Sequence, residues 1–241
     1  MKLVARPKGP FGLIDKVHRL QSQMAKAYGQ PTDAMRTDLV RDGKKVIFLH
    51  NPKTAGKSLR EFLHVKRHSH SLASDRLSEK NWLNTYSVVA VREPFERFLS
   101  GYYDRIFKQA DNALVKIYGP EVKNITPFEY LEIIKESKIF GGIQTRWTDY
   151  PSAAKPRADL ILRYEDIGNW KATMVAAGLE VADRPFLHLN RSKRAQSDHL
   201  VTLKMTQPEF KRLQDAVYTH FAEDYRTFGY PPSPLTPNPP I

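Results

Sequence analysis

Residues 44–50, KKVIFLH, form an apolar run closed by Asn51-Pro52, and the chain then passes through KTAGKS into a helix-like segment over 58–65. A strand so short and so uniformly apolar has no solvent face, so it belongs in a sheet covered on both sides. A loop that leads from such a strand straight into a helix turns backbone N–H groups outward, as a phosphate cradle does. The unit recurs. YSVVAV, residues 86–91, reads as a second buried strand, and Pro94 suits the first turn of a helix reaching about Gln109. In that helix Phe95, Phe98, Leu99, Tyr102 and Ile106 mark the core face, with Arg97, Ser100 and Asp104 lying off most of it. ADLILRYED, residues 158–166, reads as a third strand followed by a helix ending near Gly178. Thr126-Pro127 opens a helix to about Lys138, with Glu129 at a capping-box offset, and residues 206–227 read as one long closing helix. Strands alternating with helices predict an α/β fold with three layers, P-loop-like, its central parallel sheet flanked by helices.

A chain of 241 residues with 41% hydrophobic residues can bury one sizeable core, and we assign that core to a single domain over 43–230. Residues 1–42, with an amphipathic stretch at Ile14 to Ala27, are expected to form an N-terminal helical extension. The ending PPSPLTPNPPI, residues 231–241, is expected to be an extended Pro-rich tail. No apolar run is long enough for a membrane span, and the N-terminus has no apolar core of a secretory signal. With no cysteine there is no disulfide framework or thiolate chemistry, and a cytoplasmic location is the expectation. The formal charge of +12 favours polyanionic partners. No zinc-finger or RNP1-type signature accompanies it, so nucleic acid is not the expected partner. The sequence sets no oligomeric state.

The stretch HNPKTAGKS differs from a nucleoside-triphosphate P-loop at two places: Asn51 stands where the first glycine belongs, and Lys53 sits inside the loop. An ATP site also needs magnesium, held by Ser58 and by an aspartate at the end of a neighbouring strand. Here the VVAV strand runs into Arg92, whose planar fork recruits an anion. Ser100, two turns into the next helix, offers a hydroxyl. Two phosphate sites without evident metal ligands suggest a nucleotide phosphorylated at both ends of its ribose.

PKTAGKS followed by VREPFERFLS resembles the 5′- and 3′-phosphate signatures of sulfotransferases that use 3′-phosphoadenosine 5′-phosphosulfate, in particular the carbohydrate-type, family 2-like branch and its soluble bacterial relatives. HSHSLASDRL, GGIQTRWTDY, DLILRYEDI, FLHLNRSKR and DYRTFGY are similar to segments of that branch in the same order, so the resemblance covers about residues 44–230. It implies in-line sulfuryl transfer to a hydroxyl acceptor, with a carbohydrate expected, and adenosine 3′,5′-bisphosphate as product. It implies that Lys53 contacts the bridging and 5′-phosphate oxygens as charge develops there, and that Pro52, Thr54, Ala55, Gly56, Lys57, Ser58 and Leu59 complete the loop. Arg92 and Ser100 would take the 3′-phosphate, with no metal required. Lys57 stands where many relatives carry a small residue or threonine, and it keeps an ATP-dependent kinase open as the alternative. A non-enzymatic polyanion-binding module is the other.

Transfer to a hydroxyl needs a proton acceptor, and a histidine suits the task. The resemblance favours His70, with Ser71-Leu72-Ala73 after it, and His68 second; both can equally be exposed loop histidines. His50 is expected to pack at the strand end and His64 to lie on a helix surface, with Glu61 or Glu165 as carboxylate alternatives for the base. Gln144, Thr145 and Arg146 are candidates for acceptor contact, or else part of a polar loop. Asn190, Ser192, Lys193 and Arg194 form a basic stretch able to close over the 3′-phosphate, or else a solvated charge run.

Overall fold

The computed structural model describes residues 35–65, 70–108, 113–136, 142–152, 154–187 and 203–231. The segment from Ile14 to Ala27, His68, the 190–194 stretch and the Pro-rich tail beyond residue 231 lie outside the described residues. The chain divides into two compact units, one comprising described residues of 35–92 and 144–187, the other those of 93–143 and 203–231.

The first unit holds a four-stranded sheet in the order β1-β2-β3-β4, with β1 at Arg36–Arg41, β2 at Lys44–Leu49, β3 at Thr85–Val91 and β4 at Leu160–Arg163. β2, β3 and β4 are parallel, with Leu49 opposite Val89 and Val91 opposite Arg163. β1 pairs antiparallel with β2, so the sheet is mixed rather than wholly parallel. This strand starts the sheet inside the segment expected to be a helical extension. The connection is tight because Asp42 and Gly43 both take positive φ, at 49° and 72°.

Alternation along β2 splits the core into two layers. Val46 and Phe48 face Leu59, Phe62 and Leu63 of the Gly56–Phe62 helix and its end, together with Trp170 and Met174 of the Trp170–Ala176 helix. Ile47 and Leu49 face the opposite way, toward Trp82, Trp147 and Tyr150. Both faces are therefore dry, which is why these strands carry no polar alternation. β4 is shorter than the apolar run suggested: after Arg163 the chain turns into a 3₁₀ segment, Tyr164–Asn169. Among the described residues no helix is long and apolar enough to cross a membrane.

The described elements of the second unit are helices, with Pro94–Tyr103, Pro127–Glu136, Gln207–His220 and Ala222–Phe228 the main ones. Its core is aromatic: Phe95 meets Phe210 edge-on at 5.4 Å, and Tyr130 lies 5.5 Å from both Phe98 and Tyr102. Thr126 and Glu129 exchange the reciprocal bonds of a capping box, as do Thr206 and Glu209. The motif REPFER is largely explained by this packing. Glu93 caps its helix by accepting from the Glu96 N–H at 2.6 Å, Pro94 opens it, and the Tyr225 hydroxyl donates to Glu93 at 2.5 Å. Burial pushes the Glu93 carboxyl above its usual range, although these bonds pull it back down.

Three expectations are corrected here. The predicted 206–227 helix is two helices, because Phe221 leaves the helical region with φ −103° and ψ 20° while its ring stays in the core. The helix from Pro94 is α-helical only to Tyr103 and continues as a π-helix over Asp104–Lys108. Arg97, placed off the core by periodicity, is buried; it donates to the Gly142 carbonyl and lies 5.6 Å from the Phe221 ring centroid. Snorkelling allows this, since its aliphatic stem packs while its head finds a carbonyl.

Candidate active site

The candidate site lies at the carboxyl ends of β2, β3 and β4, where parallel α/β sheets bind ligands because helix starts and loops converge there. After β2 the backbone enters the loop through Asn51, and Lys53 and Ala55 both take left-handed conformations, with φ of 69° and 57°. Thr54 between them has negative φ. Alternating hand turns consecutive N–H groups toward one side and forms a concave anion-binding nest. Holding two non-glycine residues there costs on the order of 1–3 kcal/mol each, which the surrounding fold must offset.

The loop is held from within. Thr54 is buried, and its hydroxyl donates to the Asn51 carbonyl at 2.8 Å, so Thr54 offers a ligand its backbone N–H rather than its hydroxyl hydrogen. Pro52 has no N–H and is buried. Leu59 is corrected from the expected donor set: the helix begins at Gly56, two residues early, so the Leu59 N–H bonds the Ala55 carbonyl while its side chain is core. Ser58 is buried at the start of that helix, Lys53 is half-buried and Lys57 is exposed.

Gly56 is required for space rather than for backbone angle. A Cβ at this position would fall 1.9 Å from His50 Nε2 and 2.0 Å from its Cδ2. The His50 ring cannot readily yield, being buried with Phe48 stacked at 5.4 Å and His70 at 4.2 Å. Gly56→Ala is therefore expected to destabilise by about 1–3 kcal/mol, the usual cost of overpacking, and to lower the melting temperature accordingly. An unchanged melting curve would show that the ring moves freely.

His70 is exposed but oriented. Its Nδ1 lies 3.0 Å from the His50 carbonyl oxygen, which can only accept, so that nitrogen carries the hydrogen and Nε2 is the one able to take a proton. Its own carbonyl accepts from the Trp147 indole at 3.0 Å. His50 packs at the strand end as expected, and His64, exposed just past the end of the helix, pairs with Asp38 at 2.8 Å. Glu61 pairs with Arg60 at 2.7 Å, and that hydrogen bond holds its carboxyl below the usual range.

Arg92 directly follows β3, and its guanidinium lies 4.3 Å from the Tyr164 ring centroid, just past the end of β4. Ser100 lies half-buried on the Pro94–Tyr103 helix of the other compact unit. Gln144, a candidate for acceptor contact, is fully buried instead: its amide donates to the Arg92 carbonyl at 2.8 Å and accepts from the Arg92 N–H and the Asn51 amide, both at 3.0 Å. Thr145 is buried beside it, while Arg146 is half-exposed, 5.7 Å from the Trp147 ring centroid. The segment 144–147 thus braces the site, with Arg146 as its more outward member. Asn51, Trp147 and Tyr164 went unassigned from sequence; only Asn51 had a signal, as the departure from glycine.

A mixed sheet covered on both faces, with a lysine-bearing loop leaving the end of β2 directly into a helix, is the plan of a P-loop-like α/β protein. The family follows from the chain as a whole: the sulfotransferase family model matches residues 36–231, from the first residue of β1 onward, and the chain belongs to that family. It is accordingly a transferase of sulfuryl groups to hydroxyl acceptors. No curated protein matches the chain, and no solved structure does.

Proposed function

We propose that the protein transfers a sulfuryl group from 3′-phosphoadenosine 5′-phosphosulfate to a carbohydrate hydroxyl by in-line displacement. The observation that carries this reading is the pair of adjacent strand ends: the left-handed turns at Lys53 and Ala55 after β2, and Arg92 on Tyr164 after β3. These residues fit a nucleotide bearing anionic groups at both ends of its ribose, since the two strand ends offer Lys53, Arg92 and loop N–H donors, and the adjacent Glu93 carboxylate accepts from the Glu96 N–H and the Tyr225 hydroxyl. The donor, when bound, supplies an activated sulfuryl group whose departure leaves charge on a phosphate oxygen. Lys53 is the cation proposed to stabilise that charge. His70, with Nε2 as its proton-accepting nitrogen, is the group proposed to take the proton of the acceptor hydroxyl. Arg146 is proposed to meet the acceptor. The excess of 38 basic over 26 acidic residues favours an acidic glycan over a neutral one.

An ATP-dependent kinase is disfavoured by the donor set. It would use a carboxylate at the end of a neighbouring strand to hold magnesium, where this chain has Arg92 after β3, with Glu93 capping the next helix, and Arg163 closing β4, with Asp166 reached only three residues later in the 3₁₀ segment. Thermal unfolding tests the choice, because a ligand that binds only the native state stabilises it by about 2.7 kcal/mol at a hundredfold excess over Kd. Adenosine 3′,5′-bisphosphate is expected to raise the melting temperature more than ATP with magnesium at equal concentration. The reverse order would return the site to kinase chemistry.

A further inference from the structure

We propose that Gln144 is a positioning residue that locks the backbone of Arg92 to the phosphate loop through Asn51, and so sets selectivity for a 3′-phosphorylated nucleotide; this rests on the donor reading above. The parallel ladder between β2 and β3 ends at Leu49 opposite Val89, so Asn51 and Arg92 lie beyond it. Side-chain amides continue the ladder past that point. Asn51 donates to the Ala90 carbonyl and to Gln144 Oε1, both at 3.0 Å. Gln144 then meets both backbone groups of Arg92, donating at 2.8 Å and accepting at 3.0 Å, as a neighbouring strand would. Asn51 and Gln144 are both fully buried, so losing the amide leaves polar groups in the interior without their partner.

The consequence for recognition is geometric. Arg92 is fixed at two points, its backbone by Gln144 and its guanidinium by the face of Tyr164. If the backbone anchor rotates, the long side chain carries its head off the aromatic face, and a bidentate fork tolerates little misplacement. Because Asn51 also opens the phosphate loop, the same glutamine relates the two strand ends to each other. Gln144 acts through Arg92 and need not touch the nucleotide.

The test is calorimetric titration of adenosine 3′,5′-bisphosphate and of adenosine 5′-monophosphate against wild type, Gln144→Leu, Arg92→Ala and the double variant. Arg92→Ala should cost roughly tenfold or more of the preference for the bisphosphate, the worth of a charge-assisted contact. Gln144→Leu should cost a similar part of that preference while changing the monophosphate affinity by less than about threefold. The double variant should discriminate no worse than Arg92→Ala, because the two residues act as a unit. A glutamine that is merely structural would lower the melting temperature yet leave the ratio of the two affinities intact, and losses in the double variant would add; either result overturns the lock. Should Gln144→Leu fail to fold, Gln144→Met keeps the length of the side chain while removing both the donor and the strong acceptor, and the same comparison applies. A wild-type protein with no preference for the bisphosphate would overturn the donor reading and the lock with it. A wild-type preference that survives substitution at Gln144 overturns the lock alone.

Discussion

Replacing Lys53 by alanine is expected to lower kcat about 10²- to 10³-fold with only a modest change in acceptor KM, the signature of an electrostatic contact that strengthens as the leaving oxygen gains charge. The structural reason lies in the loop. Lys53 occupies one of its two left-handed positions and is half-buried, so the loop backbone fixes where its side chain leaves the chain. Alanine bears the same conformational strain at φ 69° as lysine does, so the substitution removes the charge without relaxing the loop. Lys57, the lysine that a P-loop kinase would rely on, is exposed at the first turn of the helix, and Lys57→Ala is expected to have the smaller effect. Turnover measured at saturating nucleotide for both variants decides the matter; a larger loss at Lys57 would assign it the principal charge.

His70→Ala is expected to lower kcat about 10²- to 10⁴-fold, the range for a lost general base, while affinity for adenosine 3′,5′-bisphosphate stays close to wild type. The His50 carbonyl holds Nδ1 protonated and Trp147 holds the His70 backbone, so the ring is presented in one tautomer without being part of the nest. Glu61 is a poor substitute, since the Arg60 hydrogen bond keeps its carboxyl acidic. If His70→Ala turns over at nearly the wild-type rate, the base must be sought at His68 or Glu165.

The strand-to-helix loop and its cations stand out in the sequence, whereas the buried groups that brace them do not. Lys53, Lys57 and Arg92 stand out in sequence because lysine in a strand-to-helix loop and arginine at a strand end each carry a chemical meaning by themselves. Gln144 carries none. Its partners Asn51 and Arg92 lie 93 and 52 residues away, and a buried amide between two strand ends looks, in one dimension, like any polar residue after Gly141-Gly142. Trp147 bonds the His70 carbonyl across 77 residues, a partnership that no local pattern marks. Leu59 was misassigned for a smaller reason: the helix starts two residues early, which moves the first intrahelical bond from the ligand side to the core side.

By itself the sequence determined the three parallel strands, the strand-to-helix loop after β2 and the Thr126–Glu129 cap, because apolar runs, a strand-to-helix loop and a Thr-x-x-Glu cap are decided by neighbours within one or two turns of chain. Tertiary structure decided the rest. β1 reads as a polar lead, since RTDLVR carries three charges and leaves Val40 exposed; only the open edge of β2, offering backbone partners, makes it a strand. Phe221 continues a helical periodicity in sequence and its ring is buried, yet its backbone leaves the helical region between the two helices, a break that no local signal marks. Periodicity reports which face of an element is buried, but hydrogen-bond partners set by packing across 50 to 90 residues are fixed only when the strands come together.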